Sequence, residues 1–309
     1  MKYPVIQIDN WQPLSDETMG SKLKGWFAAE TGKKYLFKYP RLNSGEAWAE
    51  KAVAEIAGLL DVPHASYDLA TFGGERGIIS LDMVNSDEGN QIVHGNQLLG
   101  IFDPEYDQEK RWKQSEHTYA RITQILYDVN AKWPEGFKII GHTHSGEETF
   151  AGYLVLDALV SHSDRHHQNW AVIAKYNEDK EEHSVEIAPT YDHASSLGRE
   201  LTDKRRDLYL QMDNGIQLYA KRCKSGIYWQ ESDSSACHPA ELVRLAALGD
   251  KLIFSHWLSA VSKLNIKDIA NIFATFPKGW MSDASVRFAL ELVRFNQSQL
   301  SAILMEMRS

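Results

Sequence analysis

Asp164 and Asn169 stand five positions apart in His162-Ser163-Asp164-Arg165-His166-His167-Gln168-Asn169. Both the residue types and the spacing suit one kind of chemistry. A carboxylate can take the proton of an attacking hydroxyl while an amide oxygen on the same loop holds a magnesium ion, the division of labour used in phosphoryl transfer. The stretch follows the apolar run Tyr153 to Val160, which reads as a buried helix emptying into a polar loop. A second acid, Asp192 in Thr190-Tyr191-Asp192-His193-Ala194, comes after an apparent strand pair, where a metal-holding acid is expected. Small residues flank Asp192, as suits a loop that comes close to a ligand. With Asn169 it offers the hard oxygen donors that magnesium prefers.

Transfer of a phosphoryl group from a nucleotide also needs a cation on the phosphates and a loop over them. Lys38 lies in Lys34-Tyr35-Leu36-Phe37-Lys38-Tyr39, an aromatic stretch that reads as a strand. A lysine inside such a strand either snorkels to water or meets an anion. Glu50, on the helix expected over Glu46 to Leu60, is the acid assigned to it, although Glu46 and Glu55 share that helix. Upstream, Met19-Gly20-Ser21-Lys22-Leu23-Lys24-Gly25 is small and basic. Gly20 would let backbone N–H groups approach a phosphate, and Lys22 or Lys24 would add charge. The segment is neither a Walker A nor a G-x-G-x-x-G pattern, so an ordinary surface turn is the competing reading.

The elements needed to position these groups fall into two blocks. Up to about residue 90 the chain reads as β-rich with one helix, with strands at 67–70 and 77–81 around a Gly73-Gly74 turn. Beyond it the pattern is helical. Ser115 is a candidate cap for a helix carrying Tyr119, Ile122, Ile125, Leu126 and Val129, and a second helix, apolar nearly all round, is expected over 150–162. Two short strands at 169–175 and 184–187 flank a charged hairpin tip, and 239–309 reads as helical throughout, with Asn265 and Ser282 as caps. Val286, Ala289, Leu290 and Val293 make an apolar stripe on the last helix. The predicted fold class is α+β and bilobal: a small β-rich lobe over 1–86, a larger helical lobe over 87–309, and a hinge near Asp82 to Asp87.

Composition narrows the alternatives. A chain of 309 residues with a formal net charge of −9 has length for a sizeable core and is poorly suited to neutralising nucleic-acid phosphates. Two cysteines without C-x-x-C spacing argue against a disulfide framework and fit a reducing compartment. No signal-peptide run and no long apolar span is evident, so the expectation is a soluble cytoplasmic protein without direct nucleic-acid or membrane contact. Seven of the twelve histidines fall between His142 and His193, which keeps a transition-metal hydrolase open as another reading. The i, i+4 pair His162 and His166 would need one helix, however, and Ser163-Asp164 looks like a helix end. No H-E-x-x-H is present.

Taken together, Ser163-Asp164-Arg165-His166 through Asn169, then Tyr191-Asp192-His193-Ala194-Ser195-Ser196-Leu197-Gly198, resemble the HipA-like serine/threonine kinases of bacterial toxin–antitoxin systems. Leu36-Phe37-Lys38, Glu50 and the helix ending Leu60-Asp61-Val62-Pro63 fit as well. The resemblance implies an ATP- and Mg2+-dependent protein kinase. Lys38 would hold the phosphates and Asp164 would be the catalytic acid/base. Asn169 and Asp192 would bind magnesium, and Leu81, Asp82 and Met83 would form the hinge beside adenine. It also implies autophosphorylation in the phosphate loop, with Ser21 as the matching serine and Ser15 and Thr18 as neighbours. A phosphate there would repel the ATP phosphates.

Relative to longer family members this chain resembles a short form, whose N-terminal subdomain is a separate partner protein or absent. No helix-turn-helix is evident. The implied partners are a protein substrate, by analogy an aminoacyl-tRNA synthetase, and an antitoxin. The competing functions are a small-molecule or lipid kinase of phosphoinositide type and a pseudokinase-like binding module, which would not need Lys38, Asp164, Asn169 and Asp192 as a set.

Overall fold

The structure, a computed structural model, describes residues 2–16, 23–84, 89–138, 145–177 and 181–309. The N-terminal part is a six-stranded sheet in the order β1-β5-β6-β4-β3-β2, made of β1 (Val5–Gln7), β2 (Gln12–Asp16), β3 (Lys24–Ala28), β4 (Lys34–Lys38), β5 (Tyr67–Phe72) and β6 (Glu75–Leu81). All pairs are antiparallel except β1 with β5. Strand alternation explains the use of β4. Phe37 points to one face, where it packs with Ile8, Phe27, Ala70 and Ile79. Lys34, Leu36 and Lys38 line the cleft on the other face. The Gly73-Gly74 turn is where it was expected, with φ of 58° and 80°.

Helix α1 (Glu46–Leu59) joins β4 to β5 and is buried along most of its length. Its alanines allow close packing against the sheet on one side and against α9 (Ile266–Thr275) on the other. The two lobes therefore share one continuous apolar cluster, running from Ala49 and Ile56 to Phe273 and Phe276. The N-terminal segment strengthens the join, with Tyr3 N–H donating to Thr275 O at 2.9 Å. So does Arg76, which donates to Gly279 O at 2.6 Å and lies over the Trp280 ring.

The chain then leaves the first sheet for a second, three-stranded one: β7 (Gln91–His94), β8 (Ala171–Asn177) and β9 (Glu182–Ile187). Around it lie α2 (Gly95–Phe102), α3 (Tyr119–Asp128), α4 (Gly146–Val160), α5 (Asp203–Gln211), α6 (Gly215–Ala220), α7 (Pro239–Gly249), α8 (Lys251–Lys263) and α10 (Asp283–Arg308). Helix α4 is the hub, packed on α3, α7, α8, α10 and β9. This is why its sequence is apolar on every face.

Several expectations need correction. The cap of α3 is Thr118, whose hydroxyl accepts from Arg121 N–H, and not Ser115. Helix α4 starts at Gly146 rather than at 150, because a capping box between Ser145 and Glu148 fixes a polar first turn that hydropathy hides. It stops at Val160, before His162, because Ser161 turns left-handed at φ 52°. Strand β7 and helices α5 and α6 were not anticipated: β7 is short and gains its role only by pairing with β8. Asn265 and Ser282 cap their helices as expected. Among the described residues no helix is long and apolar enough to cross a membrane.

Leu156, fully buried at the centre of α4, tests this hub. Leu156→Ala is expected to cost about 2–5 kcal/mol in chemical denaturation, from lost burial plus the cavity left behind.

Candidate active site

Lys38 emerges from β4 into a cavity of about 840 Å³ between the lobes. Its ammonium is 3.1 Å from Glu50 Oε1 and 3.5 Å from Asp192 Oδ1. Burial opposes its charge, but Asp192 and Glu50 outweigh that and hold it well above the ordinary lysine range. Helix α1 carries three acids, each with its own partner. Glu50 serves Lys38, Glu55 pairs with Lys51 at 2.7 Å, and Glu46 meets Arg199 at 3.1 Å and Arg41 at 3.5 Å. The second oxygen of Glu50 accepts His193 N–H at 2.6 Å, so one carboxylate holds both the lysine and the Asp192 loop.

Asp192 has φ 57°, in the left-handed region that a non-glycine residue occupies at a cost. Its N–H donates to Tyr67 Oη at 3.0 Å, and the Tyr67 ring also lies beneath Lys38 Nζ, 5.4 Å away. Tyr67 contributes to the site although its position in a strand gave no hint of it. Asn169 donates its amide N–H to Asp164 O at 2.6 Å, which closes the 164–169 loop and leaves the amide oxygen outside that bond. Asn169 and Asp192 both line the cavity, and an amide oxygen and a carboxylate are hard donors of the type magnesium takes.

The loop stands on Arg165, which has no exposed surface. Its guanidinium makes a two-pronged pair with Asp157 of α4, at 2.8 and 2.7 Å, and donates to Asn169 O and to Thr190 Oγ1. Gly226 covers the loop's backbone. At φ 93° its missing side chain leaves room for Arg165 and His166, whose main-chain atoms would lie about 3.0 Å from any Cβ placed there. Asp164 itself lines the cavity. Ser195 Oγ–H donates to its Oδ2 at 3.5 Å and in turn accepts from Arg199 at 3.1 Å.

The residues assigned from sequence thus separate cleanly. Lys38, Asp164, Asn169, Asp192, Leu81, Asp82 and Met83 line one cavity, and Glu50 stands behind Lys38. Lys24 and Ser15 line it too. Gly20, Ser21 and Lys22, with Thr18, lie outside the described residues. The site residues missed in the sequence are Tyr67, Ser195, Arg199 and Arg111, the last donating from Nε to His166 Nε2 at 2.7 Å. Only the small-residue run after Asp192 hinted at any of them.

Among the described residues no three His, Cys, Asp or Glu side chains are grouped to hold an ion. His142 and His144 lie outside the described residues. His117, His162, His166, His167 and His193 are all buried. Burial pushes His117 down to about 3 and His162 and His167 to about 4. Burial, then the Arg111 charge, pushes His166 to about 2, and burial carries His193 well below the ordinary range.

The fold is found in solved structures. The chain superposes on the Helicobacter pylori proinflammatory kinase CtkA with a TM-score of 0.73, at 14% identity, over 98% of this chain and 99% of that one. It superposes on HipA of the Shewanella oneidensis MR-1 toxin–antitoxin system with a TM-score of 0.53, at 15% identity, over 99% of this chain and 67% of that one. The chain has the HipA-like kinase fold. That makes it α+β and bilobal, as its sequence pattern indicated. No family model matches its sequence, and no curated protein does.

The neutral histidines make stability depend on pH. Their folded-state values lie below the unfolded value of about 6.5, so the unfolded chain binds more protons in acid. Their contribution is complete above pH ~6.5 and is lost as pH falls toward the folded values, at up to about 1.4 kcal/mol per pH unit for each histidine. The melting temperature is expected to fall steeply between pH 7 and 5, and replacing His117 with Gln should flatten that slope.

Proposed function

We propose that the chain is a phosphotransferase, an ATP- and Mg2+-dependent kinase whose acceptor is a serine or threonine hydroxyl of another protein. The observation that carries this reading is the gathering of Lys38, Asp192, Asn169 and Asp164 around one cavity, with Glu50 fixing the lysine. In this reading Leu36, Ala65, Met83 and Ile92 form the apolar slot for the base, beside the backbone of 81–83. Lys38 binds phosphate oxygens, exchanging part of its present pairing with Asp192 for them. Asn169 Oδ1 and the Asp192 carboxylate hold magnesium, which when bound neutralises phosphate charge.

Asp164 then takes the proton as the acceptor hydroxyl attacks, forming the new O–P bond as the bond to the leaving ADP oxygen breaks. Ser195 fixes the orientation of Asp164 through its hydroxyl bond, and Arg199 fixes Ser195. Because Arg199 also pairs with Glu46, and Gly45 N–H donates to Arg199 O at 3.0 Å, the start of α1 and the catalytic acid are linked. The likeness to HipA extends the proposal to a growth-arresting toxin with an antitoxin or subdomain partner. An aminoacyl-tRNA synthetase is a candidate substrate, and Ser21 a candidate site of silencing autophosphorylation.

Transfer of labelled γ-phosphate from Mg-ATP into a cell lysate is expected to fall at least about a hundredfold in Asp164→Ala, with ATP binding retained. Undiminished transfer would remove the central assignment. For Asp192→Ala the expected outcome is weaker nucleotide binding in magnesium but not in its absence; equal affinity in both would count against the metal role. Mass spectrometry after incubation with ATP is expected to find phosphate within 15–21.

A further inference from the structure

His166, beside the catalytic acid, is offered more hydrogen bonds than it can accept. Gln168 N–H points at Nδ1 from 3.1 Å, and Arg111 Nε–H points at Nε2 from 2.7 Å. A neutral imidazole carries one proton and one lone pair, so it can take only one of them. The Gln168 amide is fixed in the loop backbone, whereas Arg111 sits at the end of a long flexible side chain. Nδ1 therefore keeps its bond to Gln168 and the ring proton resides on Nε2. An acceptor for that proton stands 3.5 Å away: Oδ1 of Asp164. Arg111 is the group that has to move.

The surroundings indicate what would draw it off. Arg111 lines the cavity with Asp164, Gln168 and Asn169. Among the described residues its two terminal nitrogens meet no hydrogen-bond acceptor. A guanidinium fork of this kind matches a carboxylate or a phosphate. Exposed Lys110 and Lys113 flank it, and Trp112, 54% exposed, stands edge-on to the His166 ring at 5.5 Å. The cation placed for the nucleotide is Lys38, paired with Asp192, whereas Arg111 is joined to the Asp164 side through His166, whose Nε2 lies 2.7 Å from Arg111 Nε and 3.5 Å from Asp164 Oδ1, where the acceptor hydroxyl would arrive.

We propose that Arg111, supported by Lys110 and Lys113, binds an anionic group that the acceptor carries close to its hydroxyl. Capture of Arg111 by that anion frees His166 to hold Asp164 through Nε2–H. The site thus selects acidic acceptors and completes its catalytic loop only when one is bound. This inference rests on the phosphotransferase reading of the same cavity.

The test is a positional-scanning library of serine and threonine peptides, labelled from Mg-ATP by wild type, Arg111→Ala and Arg111→Glu, each first checked for an unchanged melting temperature. Wild type is expected to prefer an acidic residue at a flanking position by about tenfold or more, as one charge-assisted hydrogen bond would give. Separate Asp/Glu and phosphoserine arms tell a carboxylate from a phosphate as the favoured anion. Arg111→Ala should level the preference, and Arg111→Glu should turn it toward Lys and Arg, with the KM for ATP little changed.

Equal labelling of acidic and neutral peptides by wild type, or an acidic preference that persists in Arg111→Ala, overturns the inference. A raised KM for ATP with unaltered peptide choice also overturns it and assigns Arg111 to the nucleotide. If wild type binds Mg-ATP but labels no peptide, the peptide-acceptor reading falls, and this inference with it. If it binds no nucleotide, the proposed function itself fails.

Discussion

The buried pair of Arg165 and Asp157 is the interaction on which the rest of the site depends. A guanidinium without exposed surface is tolerable only if its charge is matched and its N–H groups are used. Asp157 supplies both oxygens from inside α4, and Asn169 O and Thr190 Oγ1 take two further bonds. One side chain therefore joins three segments: the central helix, the 162–169 loop, and the stretch leading from β9 to Asp192. Breaking a pair of this kind by removing one partner costs about 3–5 kcal/mol, because the other charge is left buried and alone. Asn169 is held directly by Arg165, and Asp192 follows through Thr190, two residues before it.

A second constraint comes from the polar character of this core. Histidines 117, 162, 166, 167 and 193 lie within it as neutral rings, bonded to backbone and to one another's neighbours. His117 accepts from Trp170 Nε1, Tyr106 meets His167, and Thr190 meets His193. Neutral imidazoles can serve as both donor and acceptor, so they fill a polar interior without adding charge close to Arg165. Of the histidines whose clustering could be read in sequence as metal ligation, His162, His166, His167 and His193 are, in the fold, part of a hydrogen-bonded scaffold around the 162–169 loop.

The lobes are joined more firmly than a hinge alone would require. Packing of α1 on α9, the Tyr3 backbone bond and the Arg76 contact with Gly279 and Trp280 hold the back of the sheet to the helical lobe. The Glu46–Arg199–Ser195 chain ties the front of α1 to Asp164. Lys38, fixed through Glu50 on that same helix, is thereby tied to the loop that carries Asp164.

The features legible in the chain before folding are local ones. The five-residue separation of Asp164 and Asn169, the alternation that puts Lys38 opposite Phe37, and the all-round apolarity of α4 follow from bond geometry and side-chain type over a few residues. Those features were enough for the bilobal class and for the main residues of the cavity. Which of three glutamates on α1 meets Lys38 is set by how the elements pack, because helix phase shows which residues share a face and not what faces them. That packing alone brought in Tyr67, Ser195, Arg199 and Arg111, whose partners lie far away in the chain or around a turn. Such pairings depend on how whole elements pack, and no short window of sequence carries that information. The same reason explains β7, a four-residue strand that exists because β8 is there to pair with it.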